Sequence, residues 1–292
     1  MTAKKLLGGL VQRPKYHQGK CVPDKEISNL LETTKLSLKL CDVDISAEFL
    51  STYTNWIKST KKNKIVELDR FKHINYAQGT TESFDKFYIK HHDKRFRIWK
   101  GEYAYHKIMF ESGNMNWSFL DDEDLQTGDA VIISIPFADS GNVYKYAETL
   151  EAAEKLNIPV LVDCAWFGTC SDITFDLSYE CIDQVVFSMS KVFPTTRHRI
   201  GIRFSNQKDG LDELNRVNFI NNFSQHAGLM LLKKYSPDYI VEKYLSKQID
   251  LCKELNVKPS QCVNLALGGD EWLPLNRGGI FNRLCLSDEL VK

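Results

Sequence analysis

The chain of 292 residues carries no excess charge of either sign: 38 Lys and Arg stand against 38 Asp and Glu. Binding to nucleic acid or to an anionic membrane surface needs a positive field, so neither is an expected partner. The basic runs at residues 58–64 and 90–97 read as solvated surface. Eight cysteines are present, but no two are spaced as CxxC, so the usual signatures of a zinc site and of a thioredoxin-like redox centre are missing. Most lie in apolar or helical contexts, where a free thiol packs as a small hydrophobe. The seven histidines form no ligand-spaced set, which argues against a metal hydrolase. No GxGxxG follows a strand-like run, which argues against a dinucleotide-binding dehydrogenase. No apolar run approaches the length of a membrane span. Residues 1–12 are too short and too interrupted by glycine for a secretory signal. The expectation is a reduced, cytoplasmic protein.

What the chain does have is alternation. Residues 72–76, 95–99, 130–135, 160–162, 184–188 and 200–204 are strand-like, and 80–91, 102–110 and 144–156 are helix-like. The run 130–135 is apolar throughout and bounded by Gly128, Asp129 and Pro136, as for a strand covered on both faces. Ala147, Leu150, Ala153 and Leu156 recur at helical spacing. The pattern predicts an α/β fold with a mostly parallel central sheet flanked by helices. After residue 204 the character changes to helices at 211–222, 226–234 and 239–255, punctuated by Pro237, Pro259 and Pro274. Residues 278–286 read as one or two strands. Ala227, Leu229, Leu231 and Leu232 mark an apolar face for packing within the lobe or against a second copy. The predicted layout is a large domain over 46–205 and a reduced α+β small lobe from 1–45 and 206–292.

Three residues in order carry the chemistry. Asp163 ends the apolar run 158–162, Lys191 closes Ser188-Met189-Ser190-Lys191, and Arg199 opens Arg199-Ile200-Gly201. Taken singly, each has an ordinary reading: a turn-capping carboxylate, a surface lysine, a surface arginine. Together they form the set that pyridoxal 5'-phosphate (PLP) requires. A carboxylate keeps the ring nitrogen protonated, an amine captures the aldehyde, and a guanidinium takes the phosphate.

The segment 160–204 resembles the core of the fold-type I PLP-dependent aminotransferases, the aspartate aminotransferase superfamily of class I/II, in shortened form. That family carries Asp-x-x-Tyr, then Ser-x-Ser-Lys, then an arginine followed by a hydrophobic residue and glycine. Here these read Asp163-Cys164-Ala165-Trp166, Ser188-Met189-Ser190-Lys191 and Arg199-Ile200-Gly201. The resemblance implies that Lys191 forms the Schiff base and shuttles the proton, and that Asp163 pairs with the pyridinium nitrogen. It also implies that Ser188 and Arg199 bind the phosphate, with Ser190 beside them. Gln78-Gly79-Thr80-Thr81-Glu82 is similar to the family's phosphate cup, which puts Gly79, Thr80 and Thr81 there; the same letters also make a plain helix cap. Lys100-Gly101-Glu102-Tyr103-Ala104-Tyr105 is similar to the segment whose aromatic ring stacks on the pyridine. Tyr103 is the better match, with a packed core ring as the alternative.

The chain also departs from the family. Pro136, Ser140 and Gly141 match Asn-Pro-x-Asn-Pro-Thr-Gly, but Ala138 replaces the asparagine that donates to the cofactor's phenolic oxygen. Trp166 replaces the tyrosine that donates to the same oxygen, and an indole offers only its N–H. These departures bear on transamination more than on cofactor binding, and Asn142 is the candidate substitute. Arg283, in Arg283-Leu284-Cys285-Leu286-Ser287, resembles the arginine that grips the substrate α-carboxylate. Arg197 and His198 are candidate pocket residues, although Lys191 can itself serve as the base. The implied activity is transfer of an amino group between an α-amino acid and a 2-oxo acid by a homodimer. Two alternatives stand: another PLP reaction (lyase, decarboxylase or synthase), or a non-catalytic relative that keeps the pocket.

Overall fold

The computed structural model describes residues 15–37, 39 and 42–292. In chain order its main elements begin with α1 (Lys25–Thr33), α2 (Ser46–Lys58), β1 (Lys64–Val66), β2 (His73–Ala77) and α3 (Gly79–Lys90). Then come β3 (Arg95–Ile98), α4 (Ala104–Ser112), β4 (Trp117–Phe119), β5 (Asp129–Ser134), α5 (Tyr146–Lys155) and β6 (Val160–Cys164). They continue with β7 (Thr174–Asp176), β8 (Ile182–Ser188), β9 (Gly201–Ser205), α6 (Gly210–Arg216), α7 (Asn222–Lys234) and α8 (Tyr239–Glu254). The chain closes through β10 (Lys258–Pro259), β11 (Leu265–Gly268) and β12 (Asn282–Cys285).

Seven strands build the central sheet in the order β2-β9-β8-β6-β5-β3-β4. Pairings from β8 through β4 are parallel, while β9 runs antiparallel to both β8 and β2. The α/β expectation therefore holds, and β9 has a local cause. Residues 189–200 contain no helix to carry the chain back across the sheet, so it returns reversed. β5 and β6 are buried along their whole length, as strands covered on both faces must be. β10, β11 and β12 form a second, antiparallel sheet. The N-terminal segment lies against it: Cys285 N donates to Tyr16 O at 2.8 Å and Ser287 Oγ to Lys20 O at 2.7 Å.

Some boundaries differ from expectation. The helix foreseen at 211–222 stops at Arg216, because Asn218 turns left-handed (φ 58°) and the Asn221 side chain accepts from Ser224 N to start α7. The three-residue strands β1, β4 and β7 carry too little alternation to be legible. Ala227, Leu229, Leu231 and Leu232 are buried in the main core, where α7 packs on α2. Cys21, Cys164, Cys170, Cys252, Cys262 and Cys285 are buried and free. Cys41 and residues 1–14 lie outside the described residues. Among the described residues, no helix is long and apolar enough to cross a membrane.

Candidate active site

The parallel strands point their carboxyl ends to one edge of the sheet, which is where open α/β sheets bind ligands. Antiparallel β9 starts at that edge, so Arg199, just before it, arrives there too. A cavity of about 540 Å³ opens along this edge. Of the residues singled out in the sequence, Thr80, Thr81, Tyr103, Asp163, Trp166, Ser188, Ser190, Lys191, Arg199 and Arg283 all line it.

One end is an anion cup. Gln78 caps α3 without any side-chain bond to the helix, so the first N–H groups are left for a ligand. Arg199 Nη2 donates to Thr81 Oγ1 at 2.8 Å and to Gln78 O at 3.2 Å. Gly79 has φ 70° and lies against the Arg199 guanidinium, where a Cβ would overlap it. Gly201 is needed for the same reason: a Cβ there would stand 3.0 Å from the Gly79 backbone. Ser188 Oγ donates to Ser190 Oγ at 2.9 Å and accepts from Ser190 N at 3.2 Å, which fixes both hydroxyls at the cup's rim.

Lys191 lies in the turn after β8 and reaches the cavity's middle. Its Nζ donates to Gly19 O at 2.6 Å and lies 5.0 Å from the centroid of the Trp166 ring. Burial, helped by the nearby Arg283 charge, pulls its pKa down to about 8. Asp163 accepts from Ala165 N at 2.9 Å. Burial first, then the Glu102 carboxylate, push Asp163 up to about 8. Tyr103 is 40 % exposed, with its ring nearly parallel to Tyr105 and edge-on to His106. It is a cavity wall and not a core ring.

Several neighbours have no signature in the run of residues around them. Ser134 and Asp163 are register partners on β5 and β6, so their side chains share a face. Ser134 carries Glu102, whose carboxylate accepts from Ser134 N at 3.0 Å, from Ser134 Oγ at 2.7 Å and from Tyr103 N at 3.2 Å. Burial pushes Glu102 up to about 7 in spite of these donors. Behind Tyr103, buried His106 lies 2.7 Å from the Tyr88 hydroxyl through Nδ1, and its Nε2 has no partner. Arg277, His17, Gln18 and Gly19 close the end away from the cup. Arg197 and His198 do not line the cavity, whereas Thr196 does. Asn142 faces away, with its Oδ1 accepting from Gln261 N at 2.7 Å, so it does not stand in for Ala138.

The decisive observation is the whole: six parallel strands, one reversed strand, and an amine, a carboxylate and an anion cup on one sheet edge. The fold is that of the fold-type I PLP-dependent aminotransferases. No protein-family model and no curated protein matches the sequence. Solved structures do match over most of the chain. A histidinol-phosphate aminotransferase from Clostridium acetobutylicum superposes with TM-score 0.58 at 19% identity, covering 87% of this chain and 81% of that one. An aminotransferase from Staphylococcus aureus gives TM-score 0.65 at 11% identity, covering 100% and 96%. A PLP-bound C–S lyase from Staphylococcus hominis gives TM-score 0.62 at 14% identity, covering 94% and 87%. The fold-type I architecture is thus common to chains with different reactions, and the site's own residues must argue the activity.

The donor set fits PLP. The cup offers N–H groups, hydroxyls and a guanidinium to a phosphate. The glycine at 79 leaves the space that a close phosphate needs. At the other end, beyond the reach of the cup, Arg283 is 1 % exposed, yet its Nε and Nη2 have no partner. A buried fork left open in this way awaits an anion.

Proposed function

We infer that this chain is a PLP-dependent enzyme acting on α-amino acids, and that transamination to a 2-oxo acid is the reading its site supports best. One observation carries it: Lys191 and Asp163 share a single cavity that runs from the Arg199 cup to the open Arg283 fork. In this reading Thr80, Thr81, Ser188, Ser190 and Arg199 hold the phosphate. Asp163, which burial keeps largely protonated near pH 7, would pass its proton to the ring nitrogen, and the opposite charge left at short range favours the cation. Tyr103 covers one face of the ring. When bound, the cofactor supplies an electron sink for the charge that builds at the substrate α-carbon.

Lys191 has two tasks. Its lowered pKa of about 8 leaves part of the amine neutral near pH 7, as a nucleophile toward an aldehyde must be. Beside the substrate, Nζ would serve as the base that takes the proton from the α-carbon and holds it for return two atoms along, at the carbon that carried the cofactor's aldehyde. Arg283 holds the α-carboxylate and so fixes which bond at the α-carbon faces the base, a positioning effect. Gly19 O and the Trp166 ring hold Nζ in place between those events. Exposed Phe219, beside Gln78 at the cup, supports a second copy closing this end, as a homodimer would.

A second reading, a lyase-type PLP reaction, is favoured by Ala138 and Trp166, which offer no side-chain hydroxyl or amide at that end of the cavity. The test separates the two. Protein treated with PLP should turn yellow, and borohydride should fix the group on Lys191 and leave Lys191→Ala unlabelled. Supplied with amino donors and 2-oxo acids, a transaminase yields a new amino acid for each oxo acid formed. Production of ammonia and an oxo acid without amino transfer selects the lyase. A colourless protein with no PLP uptake overturns both.

A further inference from the structure

Outside the cavity lining, two cysteines from distant parts of the chain face each other. Cys170 and Cys262 form an isolated antiparallel bridge. Ser171 N donates to Gln261 O at 3.1 Å, and Val263 N to Thr169 O at 2.7 Å. The hydrogen bonds therefore belong to the residues on either side, and the cysteines hold the non-hydrogen-bonded position between them. Antiparallel partners come closest there, with Cα atoms about 4.5 Å apart and both side chains on one face. A disulfide spans about 4.4–6.8 Å between Cα atoms, so the backbone already stands where the bond needs it.

Each half of the pair is held from its own side. Asn63 Nδ2 donates to Cys170 O at 2.8 Å, and Asn63 Oδ1 accepts from Ile173 N at 3.2 Å. Gln248 Nε2 donates to Cys262 O at 2.9 Å, and Cys262 N donates to Gly141 O at 3.1 Å. Two thiols fixed in this way lose little further freedom on joining. Both side chains are fully buried. Burial, then the Cys262 thiol beside it, push the Cys170 thiol well above its ordinary value, which keeps it protonated and inert at rest. An oxidant reaches the pair through local opening.

The segments that meet here lead to opposite walls of the candidate site. Thr169, next to Cys170, donates through Oγ1 to Trp166 O at 2.7 Å. Leu265 N donates to Cys262 O at 3.0 Å where β11 begins, and Arg283 on β12 is the register partner of Leu267 on β11. Across the cavity, the Arg283 guanidinium lies 5.9 Å from the centroid of the Trp166 ring.

We propose that Cys170 and Cys262 are a disulfide-forming pair, closed by a small disulfide oxidant such as oxidised glutathione, and that the bond staples the Trp166 wall to the Arg283 wall. One thiol attacks the oxidant and releases one molecule of its reduced thiol. The second thiol then attacks the mixed disulfide and releases the other. Two S–H bonds are given up for one S–S bond, and both protons and both electrons leave on the reduced oxidant. The bond closes a loop of about 90 residues, a length at which a cross-link strongly restricts the unfolded chain.

The test does not involve PLP. Full-length protein is held with oxidised glutathione in urea just below its unfolding transition, returned to buffer, alkylated and digested without reductant. Mass spectrometry should find the Cys170 and Cys262 peptides joined, and dithiothreitol should part them. The oxidised protein should melt about 5 °C above the reduced one, and Cys170→Ala and Cys262→Ala should each abolish that difference. Amide exchange at Ser171 and Val263 should slow by roughly tenfold or more on oxidation. Should either alanine variant fail to fold, the mapped bond and the reversible melting shift of the wild type still decide. Both thiols alkylated, glutathione left on either one, or a bond from either to a different cysteine would overturn the inference. So would a joined pair that leaves the melting temperature where it was.

Discussion

Arg199 Nη2 lies 2.8 Å from Thr81 Oγ1 and fills the space beside Gly79 that any side chain at that position would need. A strand start and a helix start, 120 residues apart in the chain, are thereby locked into one anion cup. Gly79→Ala should break it twice over. The left-handed φ of 70° strains an alanine, and its Cβ pushes the guanidinium off Thr81. The expected cost is about 1–2 kcal/mol of stability, seen in chemical denaturation, with a clear loss of PLP affinity by absorbance titration.

Lys191 should destabilise the ligand-free protein. Its folded pKa of about 8 lies below the ordinary lysine value, so the penalty is complete below pH 8 and fades as pH rises toward the unfolded value. Lys191→Met should therefore raise stability at pH 7 by on the order of 1–3 kcal/mol while abolishing covalent attachment of PLP. A variant that loses both attachment and stability would contradict this account.

Glu102 and Asp163 give a pH dependence of the opposite sign. Their folded values, about 7 and about 8, lie above those of free carboxylates. Their contribution is complete below the unfolded values near pH 4 and is lost as pH rises through 7 and 8. Because the two interact, they titrate as a pair. Carboxylates held low, such as Asp129 and Asp183, are already ionised in this window and do not confuse it. Melting temperature of the ligand-free protein should fall between pH 5 and pH 8, and Glu102→Gln should recover on the order of 2 kcal/mol of that loss at pH 8.

Arg97 ties the far edge of the sheet together. It is fully buried and donates to Asp129 at 2.8 Å, to Asp124 O and Phe119 O at 3.0 Å, and to Glu123 O at 2.6 Å. Arg97→Met leaves a buried carboxylate short of a partner and three carbonyls without donors. The expected loss is about 3–5 kcal/mol, measured by urea unfolding, and PLP uptake at saturating cofactor should persist in the protein that remains folded.

Local order in the chain carried most of this picture. Asp163, the pair Ser188 and Ser190, Lys191 and Arg199 are legible because strand ends and turns place them through short contiguous motifs. The apolar run at 130–135 and the alternation around it announce a parallel sheet for the same local reason. Glu102 is not legible, because nothing in Gly101-Glu102-Tyr103 says that Ser134 will supply its donors. Asn142 looked available until Gln261, from the far end of the chain, claimed its oxygen.

Composition and motif spacing were enough to establish the class of sheet and the order of the carboxylate, amine and guanidinium, and the resemblance to the family marked the two departures at Ala138 and Trp166. Folding alone decided that Gly19 would hold Lys191, that Glu102 would stand beside Asp163, and that Arg277 would share a carbonyl with Arg283. Those contacts join residues up to 172 positions apart. Their energies come from burial and from the pairing of charges across segments, and neither has any trace in the run of neighbouring residues.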